Sequence, residues 1–247
     1  MKAMLTSSLG GSCKVNGKWE PCLLIQENGQ LERLQAIWRP EARVVIISAD
    51  PADDARNDSV LACLREALPM SGLSISSIES CDDRNPAALR KTANVDVLLL
   101  AGGHVPTQNR FMKRLGLREW LSGYQGLVVA MSAGSMNCAD VVYAGPELDG
   151  EATDPLFQRW ITGLGITEVN IFPHYQSLKD DWLDGMRLIE DITFADSMGH
   201  DIIAINDGSY IMIEDGMTTL YGEAYLIRDG KMRQICREGQ SLVLPLK

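Results

Sequence analysis

Gly126-Leu-Val-Val-Ala-Met-Ser132-Ala-Gly134-Ser-Met-Asn-Cys-Ala-Asp140 is the stretch on which the reading of this chain turns. Its apolar run, Leu127 to Met131, reads as a strand buried on both faces. The run stops at Ser132-Ala-Gly134-Ser135, small residues that permit a tight turn, and Met136 to Val142 continues as a helix. A strand, a sharp turn with serine at its apex and a helix form a nucleophile elbow. Such a turn pushes the hydroxyl into the open, and the N–H groups at the helix start face a developing oxyanion. The G-x-S-x-G spelling is incomplete, because Ala130 stands at the first glycine position; alanine is small enough to serve. Taken alone, the same residues also read as a helix cap after a core strand, so the surrounding chain has to decide.

The flanking segments repeat the strand-then-helix pattern. Arg43 to Ser48 is a β-branched run bounded by Ala49-Asp-Pro51, a buried parallel strand. Asn57 to Leu68 carries Val60, Leu61, Leu64 and Leu68 at helical spacing, with Asp58 or Ser59 as cap. Leu73 to Ile78 is a weaker strand, and Pro86 to Thr92 a short helix. Val95 to Leu100 is a further buried strand that runs into Ala101-Gly-Gly-His104, and Gln108 to Leu121 is helical. The pattern implies an α/β fold: a doubly wound, mainly parallel sheet with helices on both faces. Ligands sit at the carboxyl ends of the strands in such sheets, where both Gly102-Gly103 and Ser132-Ala-Gly134 fall.

The remaining segments complete the outline. Ala3 to Leu9 is a first strand. Within residues 11–40, Asn16-Gly17 and Asn28-Gly29 carry hairpin-type turn patterns, Cys22 to Ile25 reads as strand, and Gln30 to Trp38 as a helix stopped by Pro40. Pro146 to Asp154 is an acidic loop and Pro155 to Trp160 a short helix. Ile166 to Phe172 is a strand ending in Pro173-His174-Tyr175. Trp182 to Ala195 has helical spacing through Leu183, Met186, Ile189 and Ile192. A C-terminal run of hairpin strands follows (Ile202 to Ile205, Tyr210 to Ile213, Thr219 to Tyr221, Ala224 to Ile227), with Asp207-Gly208, Asp215-Gly216 and Asp229-Gly230 at its corners. With neither repeat nor linker, residues 1–247 read as one domain.

Composition narrows the classes of function. Of the 247 residues, 45% are hydrophobic and 23% charged, as in ordinary globular proteins. The formal net charge of −10 comes with no basic stripe, which disfavours a nucleic-acid or anionic-membrane partner. The N-terminus lacks the apolar core of a signal peptide, and no apolar run is long enough to span a membrane. The six cysteines show no C-x-x-C spacing, so neither a zinc site nor a disulfide framework is indicated. A cytoplasmic location with reduced thiols fits this pattern.

A serine nucleophile needs a base, and the chain has three histidines, His104, His174 and His200. His174 directly follows a strand, where a side chain reaches a site at the strand ends, and His200 is the fallback. The carboxylate that orients the imidazole has many candidates after His174: Asp180, Asp181, Asp184, Asp191, Asp196 and Asp201. Asp207 stands out because it ends the apolar strand Ile202 to Ile205 on the same edge, although Asn206-Asp-Gly208 is also a plain turn sequence. Ala133, after the serine, and Gly103, on the neighbouring strand, are the candidate oxyanion N–H donors. A phosphate-binding role for Gly102-Gly103 is weakly supported, since no G-x-G-x-x-G and no P-loop lysine accompany it.

These residues resemble the dipeptidase E (aspartyl dipeptidase) family of serine peptidases, whose relatives include the cyanophycinases. The resemblance rests on Leu5-Thr-Ser-Ser-Leu-Gly10, Gly102-Gly103 after a buried strand, Ser132-Ala-Gly134, and Pro173-His174 followed by Ile203-Ala-Ile-Asn-Asp207-Gly-Ser209. It covers most of the chain from Arg43 onward, with 11–40 resembling an insertion. It implies a class I glutamine amidotransferase-like fold in a single peptidase E-like domain, with serine in place of the elbow cysteine. It also implies Ser132 as nucleophile, His174 as general base and acid, and Asp207 in the position where the family usually has glutamate. Gly103 and Ala133 would form the oxyanion hole. His104 departs from the asparagine or aspartate that relatives tend to carry after the glycines.

The implied activity is hydrolysis of short peptides beside an aspartyl residue, without metal or organic cofactor. Gly102, His104 and Arg187 are the candidate substrate contacts; Arg187 would read the aspartyl carboxylate, against a competing role as a solvated helix residue. Two alternatives stay open: cleavage of β-aspartyl peptides as in cyanophycinases, and a non-catalytic small-molecule-binding protein on the same fold. The subunit number is open too, a homodimer included. Cys138 lies inside the helix after the elbow and reads as packing.

Overall fold

The computed structural model describes residues 1–91 and 94–245. Its main element is an eight-stranded sheet. In spatial order the strands are Ser241–Leu244, Met217–Tyr221, Tyr210–Glu214, Lys2–Thr6, Leu127–Met131, Val97–Leu100, Ala42–Ile47 and Ile75–Cys81. The five from Lys2–Thr6 onward are parallel, and the first three join as an antiparallel edge.

The apolar runs are buried on both faces because side chains alternate across the sheet. Leu5, Val45, Ile47, Leu98, Leu100 and Val128 pack on one face with Phe111, Met112 and Leu117 of the covering helices. Met4, Val44, Ile46, Val97, Leu99 and Val129 pack on the other with Leu31, Leu34, Leu64 and Leu68. Helices therefore cover both faces, as the sequence pattern predicts.

A second, four-stranded sheet runs Asn170–Phe172, Asp201–Ile205, Ala224–Arg228, Lys231–Cys236. Its first two strands are parallel, with Phe172 opposite Ala204. The C-terminal strands expected as one run of hairpins are thus divided between two sheets. Asp215-Gly216 and Asp229-Gly230 do form hairpin turns, both residues of each having positive φ. Asn206 to Ser209 instead carries the chain from the second sheet into the first.

Several expected elements change at specific residues. Trp182 to Ala195 is not one helix: Asp184 and Gly185 take φ of 52° and 79° and close a small hairpin, Trp182–Leu183 with Met186–Arg187. A wide helical turn over Leu188–Thr193 and a short helix Phe194–Asp196 follow. Gly116, at φ 64°, splits the expected Gln108–Leu121 helix into Val105–Leu115 and Leu117–Leu121. The helix after Ser132 covers only Ala133–Asn137, and Val141–Tyr143 is a strand paired with Trp160–Thr162, where a short helix was expected. Asn28-Gly29 is a 3₁₀ turn into the helix Gln30–Ile37, whereas Asn16-Gly17 closes the hairpin Gly10–Val15 with Lys18–Leu24. Asp53 caps the helix Asp54–Met70, accepting from the Arg56 N–H, one turn earlier than expected. The Thr92 end of the expected 86–92 helix lies outside the described residues; the helix itself is Ala88–Lys91.

The elbow helix lies so close to the neighbouring strand that only glycine fits at its second residue. A Cβ on Gly134 would sit 2.7 Å from Leu100 Cβ, against the backbone of that strand. Gly134→Ala should destabilise by about 1–3 kcal/mol through overpacking, read as a lower urea midpoint. Gly123, where an added Cβ meets nothing within 4 Å, is the control; Gly123→Ala should stay within about 0.5 kcal/mol. Equal midpoints for the two variants would contradict the tight packing.

Candidate active site

Strand register brings the two glycine-rich corners together. Thr6 pairs with Met131 and Leu100 with Ala130, so three parallel strands end side by side. A Cβ on Gly102 would lie 3.1 Å from Ser132 Cβ, a direct measure of how near the corners are. A Cβ on Gly103 would lie 2.6 Å from Ala49 Cβ, so a larger residue there would displace the corner.

Ser132 itself sits at φ 50°, ψ −118°, a conformation costly for any residue with a Cβ. The surroundings hold it there. Its N–H donates to the carbonyls of Thr6 and Ser7, both at 3.1 Å, while the Ser135 hydroxyl donates to Thr6 O at 2.7 Å. Ala133 follows as the first residue of a five-residue helix. So short a helix contributes little macrodipole, which leaves individual backbone N–H groups as the local donors.

The parallel pairing of Asn170–Phe172 with Asp201–Ile205 delivers His174 and Asp207 to the same edge. His174 Nδ1 lies 2.7 Å from Asp207 Oδ1. With a carboxylate accepting there, Nδ1 carries the proton and Nε2 is the basic nitrogen. His174 is also left-handed, at φ 57°, and its N–H donates to Ser7 Oγ at 2.8 Å. The Ser7 hydroxyl in turn donates to Asp207 Oδ1 at 2.7 Å, and Gln176 Oε1 accepts from the Asp207 N–H at 3.0 Å. Burial pushes the Asp207 carboxyl up, but hydrogen bonding and charge from His174, with hydrogen bonds from Ser7 and Gln176, outweigh it, and the net shift is downward.

Five of the other carboxylates considered from sequence are occupied elsewhere or reach other parts of the site. Asp184 accepts from the N–H groups of Gly150 and Ala152, Asp191 forks with Arg187, Asp196 accepts from the Tyr143 hydroxyl, and Asp201 pairs with Arg228. Asp181 lines the cavity described below. His200 stacks on Trp160 with ring centroids 3.9 Å apart. His104 bridges Thr107 Oγ1 at 2.8 Å and Glu151 Oε1 at 2.9 Å. Arg187 is exposed on the small hairpin, its guanidinium held by Asp191. Cys138 is fully buried and its thiol donates to Gly134 O; burial pushes its pKa far up, so it is packing.

Ser132, Gly103 and His174 line one cavity of about 340 Å³. Glu147 stands at its mouth: part of the residue is exposed while Oε1 accepts from the Val105 N–H at 3.2 Å. Burial of that carboxyl, with the charge of Glu151, raises its pKa to about 7 against the opposing hydrogen bond from Val105 and the charge of His174. Sequence reasoning missed Glu147, Ser7 and Gln176 as site residues. Only Ser7 had a sequence cue, its place at the carboxyl end of the first strand. Among the described residues, no group of three His, Cys, Asp or Glu side chains is placed to hold a metal ion.

Residues 37–221 match the model of peptidase family S51. Among solved structures, a crystal structure from Listeria monocytogenes EGD-e, provisionally described as a peptidase E protein, is similar with a TM-score of 0.56 and 14% sequence identity. The likeness covers 95% of this chain and 98% of that one. At that identity it speaks for the fold, which is α/β and class I glutamine amidotransferase-like. No curated protein matches the chain. Because the family match spans most of the sequence, elbow and His174 included, the chain belongs to peptidase family S51 and is a serine-type peptidase.

Proposed function

We propose that the protein hydrolyses short peptides with Ser132 as nucleophile, His174 as proton carrier and Asp207 as the group that orients His174. The observation that carries this reading is the 2.7 Å contact between His174 Nδ1 and Asp207 Oδ1, with Ser132 on its strained turn in the same cavity. Ser132 Oγ attacks the peptide carbonyl while its proton passes to His174 Nε2. The carbonyl oxygen becomes an oxyanion, held by the N–H groups of Gly103 and Ala133. The intermediate collapses as His174 returns the proton to the amine nitrogen, the C–N bond breaks and the amine leaves. Water then attacks the acyl-enzyme, giving its proton to His174; the ester bond breaks, the proton returns to Ser132 Oγ and the acid is released.

The family resemblance also implies an aspartyl preference. Recognition of an aspartyl carboxylate calls for a cation, and Arg187, the candidate from sequence, is engaged by Asp191. The proposed substrate is therefore a short peptide. A peptide, unlike a membrane or a nucleic acid, suits an acidic chain with a cavity of this size. Among the described residues no helix is long and apolar enough to cross a membrane.

Intact-mass analysis after treatment with a small fluorophosphonate tests the roles. Wild type should gain one adduct, Ser132→Ala none, and His174→Ala should react slower by a factor on the order of 10²–10⁴. A folded wild type that stays unmodified would refute the nucleophile assignment.

Asp207→Asn should slow modification by a factor on the order of 10³, because an amide no longer fixes the imidazole tautomer. It should also change stability with a defined sign. A depressed carboxyl pKa stabilises the fold above the unfolded value of about 3.9, and that contribution is lost as pH falls through the lower folded value. The melting temperatures of wild type and Asp207→Asn should accordingly differ at neutral pH and converge in strong acid. A gap that persists in strong acid would contradict the role of ionised Asp207.

Ser7→Ala removes the hydroxyl that ties His174 to Asp207. The maximal modification rate should fall about 10- to 100-fold through lost orientation, with half-saturating probe concentration unchanged. Ser7→Thr, which keeps the hydroxyl, should recover most of the rate. Loss confined to probe affinity would contradict a positioning role.

A further inference from the structure

The Gly103 N–H belongs to the same peptide unit as the Gly102 carbonyl. That carbonyl accepts from Arg56 Nη2 at 3.2 Å, and among the described residues no other group hydrogen-bonds to this unit. In a trans peptide the C=O and N–H point opposite ways. The strand Val97–Leu100 lies between Ala42–Ile47 and Leu127–Met131. Arg56 belongs to the helix that follows the first of these neighbours, and Ser132 directly follows the second. A carbonyl drawn toward Arg56 therefore turns the Gly103 N–H toward the side of Ser132.

The corner needs such a tie. Both glycines serve close approach: an added Cβ would lie 3.1 Å from Ser132 Cβ at Gly102 and 2.6 Å from Ala49 Cβ at Gly103. Rotating the peptide plane between them changes ψ at Gly102 and φ at Gly103, and glycine tolerates either sense of that rotation. The residues that let the corner approach Ser132 thus also leave its N–H free to turn away. Arg56 stands on a fixed base. Its own N–H donates to Asp53 Oδ1 at 3.0 Å, and Asn57 Nδ2 donates to Asp50 O at 2.9 Å, tying the helix start to the strand end. Local helix electrostatics do not explain a cation there, because the first turn favours negative charge. The neighbouring Asp54 pairs with Arg84 instead.

We propose that Arg56 is a positioning residue for the reaction: through the Gly102 carbonyl it holds the Gly103 N–H toward the oxyanion. The inference rests on the reading of Ser132 as nucleophile and Gly103 as oxyanion donor, and adds the group that fixes the donor. The charge-assisted bond to the carbonyl also polarises the peptide unit, which makes its N–H a stronger donor.

Modification by a small fluorophosphonate reads the effect, because the phosphoryl oxygen takes the place of the oxyanion. Arg56→Ala should lower the maximal modification rate about tenfold, with half-saturating reagent concentration and circular dichroism unchanged. That is less than the loss on the order of 10²–10³ that follows removal of a donor itself. Guanidinium ion, added far below the concentrations that unfold the protein, should restore part of the rate, and sodium chloride should not. Arg56→Lys, which keeps a charge and a donor but not the planar fork, should fall between wild type and Arg56→Ala. An unchanged rate in Arg56→Ala would overturn the proposal, as would a loss confined to reagent affinity. A loss that neither guanidinium nor lysine repairs would overturn it too. The crystal structure of phosphonylated wild type separates this failure from that of the underlying reading. A phosphoryl oxygen bound at Gly103 N, with Arg56→Ala reacting at the wild-type rate, removes this inference alone. An oxygen bound elsewhere removes the Gly103 assignment and this inference with it.

Discussion

Ser7 is the residue on which the geometry of the site depends. Its carbonyl accepts the Ser132 N–H, its hydroxyl accepts the His174 N–H, and the same hydroxyl donates to Asp207. Its own N–H donates to Ser209 O, two residues past Asp207. One fully buried residue, through its backbone and its hydroxyl, thus links the end of the first strand to the elbow and to the chain ends of the two parallel strands of the second sheet. Two of those three partners, Ser132 and His174, sit at an unfavourable piece of backbone. Positive φ at Ser132 and His174 persists because fixed hydrogen bonds over-determine it. The strain is local, and its hydrogen-bond supports come from residues more than a hundred positions away.

Parallel strand ends are the larger constraint. Three parallel strands of the first sheet end together at Ser7, Gly102 and Ser132, and two of the second end at His174 and Asp207. A nucleophile, a base and its carboxylate can therefore come from two different sheets and still meet. This also explains why the short helix after Ser132 suffices. The strand ends set the position of the serine, and the helix only needs to turn the chain away closely enough for Gly134 to pack on Leu100.

Those parts of the fold with continuous apolar runs were legible from sequence, because a strand buried on both faces leaves no other pattern. Arg43 to Ser48, Val95 to Leu100 and Leu127 to Met131 all form strands within a residue or two of the expected bounds. Ser132, His174 and Asp207 were legible as candidates because each follows such a run. The division of the C-terminal strands was not legible: Asp207-Gly208 has the same spelling as the true hairpin corners at Asp215-Gly216 and Asp229-Gly230. Which sheet a strand joins is decided by long-range pairing, not by its turn. Trp182 to Ala195 failed for a different reason. Its apolar spacing fits a helix, but the two positive φ values at Asp184 and Gly185 dominate locally, and the resulting hairpin becomes a cavity wall. Ser7 had only its place at the carboxyl end of the first strand to announce it, and Glu147 had no local pattern at all.

The most direct test of this account is a crystal structure of the protein phosphonylated by a small fluorophosphonate. The account predicts phosphorus on Ser132 Oγ, with its free oxygen about 2.7–3.1 Å from the backbone nitrogens of Gly103 and Ala133. His174 Nε2 should face Ser132 Oγ, with the ring still bonded to Asp207 and Ser7 still spanning the two. A phosphonyl oxygen turned to solvent, or a His174 ring swung away from Asp207 toward another carboxylate, would contradict it.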